Sequence, residues 1–338
     1  MSLRLSTALC LMLLMSACST DTPDTSVTTT QTEPPESEGE MHNPPEDMFT
    51  QVCENGEEMK GPWNNYLGIT TLSSSESKAQ GSSTKTLVEA GGVPTLIQNA
   101  DGDLIAAFQW FPCDNEDAFD KVAISTSKDE GKTWSDPEPI EVDGLPDGYQ
   151  RPFDPTLALL PDGQIRIYFT SNAKGMSTFG DDTNIYSAIS DDGIHYTFEE
   201  GARFDLDGDP AYDSAVGYWD GLWHLITPNN GDEASTGSAN HGVSEDGLEF
   251  EILDPIELDA EVNWTGNFLT KDDGLYFYGT PGGKGGKGNW FTFTEDGETW
   301  EEPSYLKNLG GDPAVTCFED LSCLAIGVMM EQGLDEMK

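Results

Sequence analysis

The sequence predicts an all-β fold, a five-bladed β-propeller in which one blade is completed by strands from both termini. Two observations support this prediction. A unit of short alternating segments recurs, with starts near residues 93, 154, 213, 267 and 312, and this spacing fits the four strands of one propeller blade. The composition, with 36 Gly, 20 Pro and 8 Trp in 338 residues, is typical of a turn-rich β protein.

The first half of each unit consists of two alternating apolar runs joined by a tight turn, which is the signature of a β-hairpin. The turns are Asp101-Gly102, Asp162-Gly163, Asp220-Gly221, Asp273-Gly274 and, in the fifth unit, Glu319-Asp320. A single four-stranded blade cannot cover its own faces, so we expect the blades to pack side by side and close into a ring.

The second half of the unit ends in a Ser/Thr-x-Asp turn followed by Gly and an aromatic residue. Its copies are 127–134, 190–196, 244–250 and 294–300. Turn chemistry explains every residue type in this motif, because the Asp side chain can accept hydrogen bonds from turn amides and Gly adopts positive φ. We therefore assign these Asp residues a structural role.

The fifth unit has room for only two strands before Lys338. Its missing outer strands are predicted from the segments 66–73 and 86–88, which echo 123–127 and 140–142 of the first unit. Such a blade joins the two ends of the ring, so opening the ring requires loss of strand pairing at both chain ends.

The N-terminal segment predicts export. Residues 1–18 combine Arg4, an apolar run too short to span a bilayer and small residues before Cys18. The stretch 15–18, Met-Ser-Ala-Cys, resembles the bacterial lipoprotein processing box, in which the cysteine is lipidated. An ordinary cleaved signal with an incidental Cys18 is the alternative. We predict a lipoprotein signal peptide at 1–18, a disordered tether at 19–50, the propeller domain at 51–338 and lipid anchoring to the bacterial cell envelope.

The remaining cysteines of the exported chain predict two disulfides, since an even set of four is typical of an oxidising compartment. Cys317 and Cys323 flank a turn symmetrically and could face each other on a hairpin, which leaves Cys53 to pair with Cys113. A metal site is the alternative, but no Cys-x-x-Cys spacing with nearby histidines supports it.

The charge balance excludes one class of partner. The sequence has 16 Lys+Arg and 62 Asp+Glu, a formal net charge of −46, and such a surface repels nucleic acid and anionic lipid headgroups. We therefore expect no nucleic-acid partner, membrane contact only through the N-terminal lipid, and a monomer.

The Ser/Thr-x-Asp turns resemble the Asp-boxes of the sialidase superfamily, and the Asp-Pro strand starts with Asp-Gly hairpins look like five-bladed glycosidases of the arabinanase, xylosidase and invertase kind. The resemblance covers about residues 65–330. It implies that each innermost strand starts on the face where carbohydrate enters a central funnel. The corresponding positions in this sequence are Val93, Asp154, Asp213, Asn267 and Asp312.

The resemblance implies catalysis by Asp154, Asp213 and Asp312, because a glycosidase needs one protonated and one ionised carboxyl. Asp154 occupies the place of the family's base or nucleophile, and the other two would tune or assist it. The general acid stays open, since none of the five positions is Glu and nothing selects among Glu261, Asp209 and Glu233. Further substrate-binding candidates are Arg151, Asn267, Trp264 and Asp209.

Other interpretations of the same residues stay open. Asp-Pro is also a common start of a strand, and clustered aspartates could hold Ca²⁺ although no cofactor is required. The tryptophans could pack between blades instead of against sugar. A sialidase would need an arginine triad in the funnel, whereas Arg166 is predicted on the second strand of a blade and Arg203 on the outermost strand. The alternative function is a non-catalytic propeller module that binds a glycan or a protein, stabilised by Ca²⁺ if the aspartates hold one.

Overall fold

The computed structural model describes residues 46–54, 61–75, 84–175, 182–229, 237–258, 261–282, 287–306 and 308–330. Cys18, the predicted signal peptide and most of the predicted tether lie outside these ranges. The described chain begins with a short helix α1 (Glu46–Phe49) and a π-helical turn (Thr50–Glu54), so the last residues of the predicted tether are ordered. Two 3₁₀ turns, Pro62–Asn64 and Glu116–Ala118, are the other described helical segments.

The strands form five antiparallel sheets in chain order, with one parallel addition. The first pair, which returns below in blade V, is β1 (Asn65–Leu72) and β2 (Lys85–Glu89). Blade I contains β3 (Gly91–Gln98), β4 (Leu104–Trp110), β5 (Lys121–Ser127) and β6 (Glu138–Pro139). Blade II contains β7 (Glu141–Asp143), β8 (Phe153–Leu159), β9 (Ile165–Asn172), β10 (Thr183–Ser190) and β11 (His195–Glu199).

The second half of the chain supplies the other blades. Blade III contains β12 (Ala215–Trp219), β13 (Leu222–Pro228), β14 (Ser238–Ser244), β15 (Glu251–Ile252) and β16 (Ile256–Glu257). Blade IV contains β17 (Asn263–Lys271), β18 (Gly274–Thr280), β19 (Trp290–Thr294) and β20 (Ser304–Tyr305). Blade V pairs β21 (Gly311–Cys317) and β22 (Cys323–Met330) with β1 and β2.

The innermost strand of each blade contacts that of the next, and β21 of blade V contacts β3 of blade I. The sheets therefore form a closed ring, and the predicted five-bladed propeller is confirmed. An apolar cluster fills each of the five interfaces between neighbouring blades. Fully buried members of these clusters are Leu104, Ile167, Leu225, Phe277 and Ala325.

Blade V confirms the predicted closure by both chain ends. Residues Asn65–Leu72 pair with Met330–Cys323 in unbroken antiparallel register. The outer strand of blade I differs from expectation: β6 ends that blade, and β7 pairs in parallel with β11 of blade II. Segment 140–142 therefore connects two blades, because the chain passes from blade I to blade II directly after the short strand β6.

Both predicted disulfides are present. Cys317 and Cys323 face each other across the β21–β22 hairpin, and Cys53 is bonded to Cys113. The second bond fixes the N-terminal turn against blade I, where Phe49 packs edge-on to Phe119 at 5.4 Å. Among the described residues, no helix has the length and apolar character that crossing a membrane requires.

The four Ser/Thr-x-Asp turns share one hydrogen-bond pattern. In the first, the Gly131 amide donates to Ser127 Oγ at 2.8 Å and the Thr133 amide donates to Asp129 Oδ1 at 2.8 Å. The amide donors lower the pKa of Asp129 to about 2. These side chains are engaged by the turns, as the structural interpretation of the sequence expects.

Candidate functional site

The three predicted catalytic aspartates lie at equivalent positions where the inner strands of blades II, III and V begin. Their backbones have positive φ, at 47° for Asp154, 55° for Asp213 and 48° for Asp312. In blades II and V the register of the inner hairpin shifts at this point, which is the mark of a β-bulge. Asp tolerates positive φ better than most residues, so Asp is a suitable residue type for this backbone conformation.

Polar side chains on the second strand of the preceding blade hold the amides of these aspartates. The Asp213 amide donates to Thr170 Oγ1 at 3.0 Å, and the Asp312 amide donates to Thr280 Oγ1 at 2.7 Å. The Asp154 amide points to Gln109 Oε1 at a longer 3.5 Å. Each aspartate is therefore oriented by its neighbouring blade as well as by its own strand.

The three carboxyls are close enough to influence one another's ionisation. Burial raises the pKa of Asp154 to about 7, with repulsion by Asp312 as a second cause. Burial raises the pKa of Asp213 well above its usual range, and repulsion by Asp312 and Asp154 adds to the effect. All three side chains keep part of their surface exposed. The three carboxyls thus converge in a confined place that solvent can still reach.

The carboxyls differ in the hydrogen bonds that stabilise their charged forms. Burial also raises the pKa of Asp312, but hydroxyls of Thr265 and Thr280 oppose the rise; Thr280 Oγ1 donates to Asp312 Oδ1 at 3.1 Å. For Asp154, a hydrogen bond with Thr170 is the one resolved cause that lowers the pKa. For Asp213, all the resolved causes raise the pKa. Hydrogen bonds therefore favour the ionised form of Asp312, whereas all the resolved causes favour the protonated form of Asp213.

Blade I breaks the pattern, because its equivalent residue is Val93. This valine has φ of 45° and lies in the same type of register shift, between Gly92 and Thr95. A β-branched residue is a genuine outlier in this region of φ, and such strain costs of the order of 1–3 kcal/mol. The Val93 side chain is half-buried.

Arg151 is held by blade I. It forms an ion pair with Asp120 and donates from Nε to the Asp120 carbonyl at 2.5 Å. Gln109 Nε2 also donates to Asp120 Oδ1, at 2.6 Å. Burial lowers the pKa of Arg151 to about 10. The guanidinium thus supports the Asp120–Gln109 pair beside Asp154, and its contact with substrate stays a prediction.

Asn267 is not at the position that sequence alignment of the repeats predicts. The register sets Asn263 opposite Thr280 as Phe153 is set opposite Thr170, and Asn267 opposite Tyr278 as Thr156 is set opposite Tyr168. The counterpart of Asp154 in blade IV therefore falls within the register shift, before Asn267. The predicted alignment was wrong because blade IV starts its inner strand earlier relative to its turn. Asn267 is buried, and its Nδ2 donates to the Pro94 carbonyl at 2.9 Å.

This Asn267 bond links blades IV and I, which are not neighbours in the ring, and therefore reaches past blade V near the axis. An axial cavity of about 420 Å³ is lined by residues of all five inner strands, among them Thr95, Thr156 and Asn267. The three aspartates are not part of that lining. Asn267 is therefore part of the floor between the carboxyls and the axial cavity.

Trp264 cannot stack on a sugar. It is 2% exposed, with its ring 4.9 Å from those of Phe277 and Trp290 in the interface between blades III and IV. Trp264 therefore packs between blades, the alternative that the sequence left open, and it lies within the register shift between Asn263 and Gly266. Asp209 is exposed in a turn closed by the Leu206–Asp209 bridge, and its role stays a prediction.

The structure bears on two alternatives that the sequence left open, the other candidates for the general acid and a Ca²⁺ site. Glu261 is exposed at the start of blade IV, and Glu233 lies outside the described residues. Within the described ranges, no three His, Cys, Asp or Glu side chains are grouped so as to hold a metal ion. The residues present at the three aspartates therefore do not fit the Ca²⁺ site that the sequence left open.

The threonines and Gln109 that orient the aspartates were missed by sequence reasoning. A signal for them exists, because Gln109, Thr170, Thr227 and Thr280 each follow the Gly of a hairpin turn by six or seven residues. The repeat that predicts the hairpins therefore also contains a polar position at the end of each second strand. Its partner across the blade interface could not be read from the sequence.

Comparison with known proteins gives a fold and no closer relationship. No family model and no curated protein sequence matches the chain. An exo-β-1,3-galactanase from Clostridium thermocellum matches with a TM-score of 0.50 and 14% identity, over 73% of this chain and 55% of that one. A family 117 glycoside hydrolase from the marine bacterium Zobellia galactanivorans matches with a TM-score of 0.49 and 14% identity, over 79% and 91%.

An N-acetylgalactosamine deacetylase from F. plautii matches with a TM-score of 0.48 and 15% identity, over 76% of this chain and 82% of that one. At such identities a likeness concerns the path of the backbone alone. The chain therefore has a five-bladed β-propeller fold.

Proposed function

We propose that this protein hydrolyses a glycosidic bond at the three aspartates. The observation that carries the proposal is the convergence of Asp154, Asp213 and Asp312, with pKa values raised to different extents. A glycosidase needs a carboxyl that donates a proton to the leaving oxygen and a carboxylate that activates water or attacks the sugar. The surroundings of each carboxyl assign these roles.

Asp213 is the general acid, because burial and the repulsion by Asp312 and Asp154 favour its protonated form. Asp312 is the base or nucleophile, because two threonine hydroxyls stabilise its charge. Asp213 gives its proton to the glycosidic oxygen as the bond to the anomeric carbon breaks. With Asp312 as base, Asp312 takes the proton of the water that adds to that carbon. With Asp312 as nucleophile, its carboxylate bonds to the anomeric carbon, and water then cleaves this ester and returns a proton to Asp213. Asp154 tunes these two by repulsion, which revises the base or nucleophile role that the sequence assigned to it.

The test is a panel of 4-nitrophenyl glycosides of neutral hexoses, pentoses and glucuronic acid, together with oligosaccharides and polysaccharides. We expect turnover of at least one neutral substrate by the wild-type protein, and its loss in Asp312→Asn. Equal turnover by the variant would remove Asp312 from the mechanism. Glycan binding without turnover of any substrate would favour the non-catalytic module in place of the enzyme.

We also propose that the protein is exported and anchored to the bacterial envelope through a lipid on Cys18. The two disulfides support export, because such bonds persist in oxidising compartments. Labelling of expressing cells with an alkyne fatty acid should mark the wild-type chain and Cys10→Ser, and should not mark Cys18→Ser. Label retained by Cys18→Ser would contradict the proposal.

A further inference from the structure

Val93 lies between two of the carboxyls in the ring. Blade I is flanked by blades V and II, so the inner-strand positions run in the order Asp312, Val93, Asp154. Repulsion by Asp312 contributes to the raised pKa of Asp154, and these two carboxyls therefore interact across the place that blade I fills. The side chain that blade I places between these two carboxyls therefore belongs to the same site.

The fold alone does not favour valine at this position. The equivalent residues of blades II, III and V are aspartates with nearly the same positive φ, and Asp or Asn adopts this conformation more readily than a β-branched residue. In blades I, II and V the next residue is proline, so the local chain is otherwise alike. Valine is held here in a strained conformation that the repeat avoids elsewhere.

Core packing does not account for Val93 either. Blade I contributes Leu96 and Leu104 to the cluster shared with blade V, and Ile105 and Ala107 to the cluster shared with blade II. Val93 belongs to none of the hydrophobic clusters formed by the described residues, and its side chain is half-buried. An apolar group kept out of the cores and under strain is a pointer to function.

We infer that Val93 is a specificity-determining residue of the proposed hydrolase: its two methyl groups form an apolar wall, between Asp312 and Asp154, against which the C–H face of a neutral sugar ring packs. The inference rests on the proposed function. Apolar walls with a few fixed polar groups are the usual construction of small-molecule sites. The wall orients the ring while the carboxyls act on its oxygens.

The charges around the site select an uncharged sugar. Three carboxyls line it, and Arg151, three residues before Asp154, is already paired with Asp120. A uronate or a sulfated sugar would therefore meet like charges there. The apolar wall and the carboxyls thus exclude anionic rings together.

The test compares Val93→Asn with Val93→Ile, using the neutral 4-nitrophenyl glycoside that the wild-type protein hydrolyses fastest. Asn suits positive φ and removes the apolar wall, whereas Ile keeps it. We expect Val93→Asn to unfold at the same or a higher temperature than wild type, with KM raised about tenfold or more and kcat changed less. Val93→Ile should stay within about threefold of wild type in KM.

Leu321 offers a matched control, because it also has positive φ, at 69°, but is 73% exposed in the β21–β22 turn. Leu321→Asn should relieve strain with no change in KM. An unchanged KM in Val93→Asn would overturn the inference, and so would a lowered unfolding temperature, which would make Val93 a core residue.

Binding of the corresponding methyl glycoside, measured by calorimetry, separates this inference from the proposed function. Wild-type binding that is weakened in Val93→Asn supports the wall even if no glycoside is hydrolysed. If the wild-type protein neither binds nor hydrolyses any sugar of the panel, the proposed function and the inference both fail.

Discussion

Replacing Asp213 with Asn is expected to slow hydrolysis of glycosides with poor leaving groups by about 10²–10⁴-fold, the usual contribution of a general acid. The reason is that the leaving oxygen would depart unprotonated. A 2,4-dinitrophenyl glycoside needs little protonation, so its turnover should fall far less. The measurement is kcat/KM for an oligosaccharide and for the dinitrophenyl glycoside, in wild type and in Asp213→Asn.

Asp312→Asn is the matched variant, because it keeps the general acid and removes the base or nucleophile. Its losses should be similar for the two substrates. If Asp213→Asn loses both activities equally while Asp312→Asn spares the dinitrophenyl glycoside, the two roles are exchanged. In wild type, activity should fall at low pH as Asp312 takes up a proton and at high pH as Asp213 loses one.

Replacing Asp154 with Asn is expected to stabilise the protein near neutral pH and not below pH 4. Burial and Asp312 raise the pKa of Asp154 from 3.8 to about 7. Between these values the folded state keeps a proton that the unfolded state releases, so stability falls as the pH rises. A shift of one pKa unit corresponds to about 1.4 kcal/mol. The gain from Asp154→Asn could therefore reach about 4 kcal/mol at pH 7.5.

Urea unfolding of both proteins at pH 4 and 7.5 measures this difference. Asp296→Asn is the control of opposite sign, because turn amides lower the pKa of that exposed aspartate to about 2. Its native charge stabilises the folded state above pH 4, and that contribution is lost as the pH falls towards 2. Equal stability of Asp154→Asn and wild type at both pH values would show that Asp154 is ionised at little cost.

The fold could be predicted because residues that are close together in the sequence mark each repeat. Asp-Gly turns, such as Asp162-Gly163, mark each inner hairpin, and the short fifth unit implies closure by N-terminal strands. The bounds of the outermost strand of each blade could be predicted less well. Segment 140–142 is divided between two blades by pairing partners that are distant in sequence.

The candidate site was predictable only in part. Asp154 and Asp312 follow from the Asp-Pro dipeptides at the starts of inner strands, and Asp213 from its place in the repeat. Asn267 and Trp264 were misplaced, because a bulge changes which residue faces the axis and the sequence does not show its position in blade IV. The threonine contacts that hold the amides of Asp213 and Asp312 join different blades, so they depend on geometry that no local pattern contains.

The shared blade V also bears on biosynthesis. Asn65–Leu72 are translated early, yet their neighbours Cys323–Met330 are among the last described residues to be made. Until then an apolar edge that includes Leu67 and Ile69 has no partner, and exposed edges of this kind recruit other chains. During export, blades I to IV can therefore stack in succession, but the ring cannot close before Cys323–Met330 arrive. We expect the maturing chain to be most aggregation-prone just before its final strand arrives.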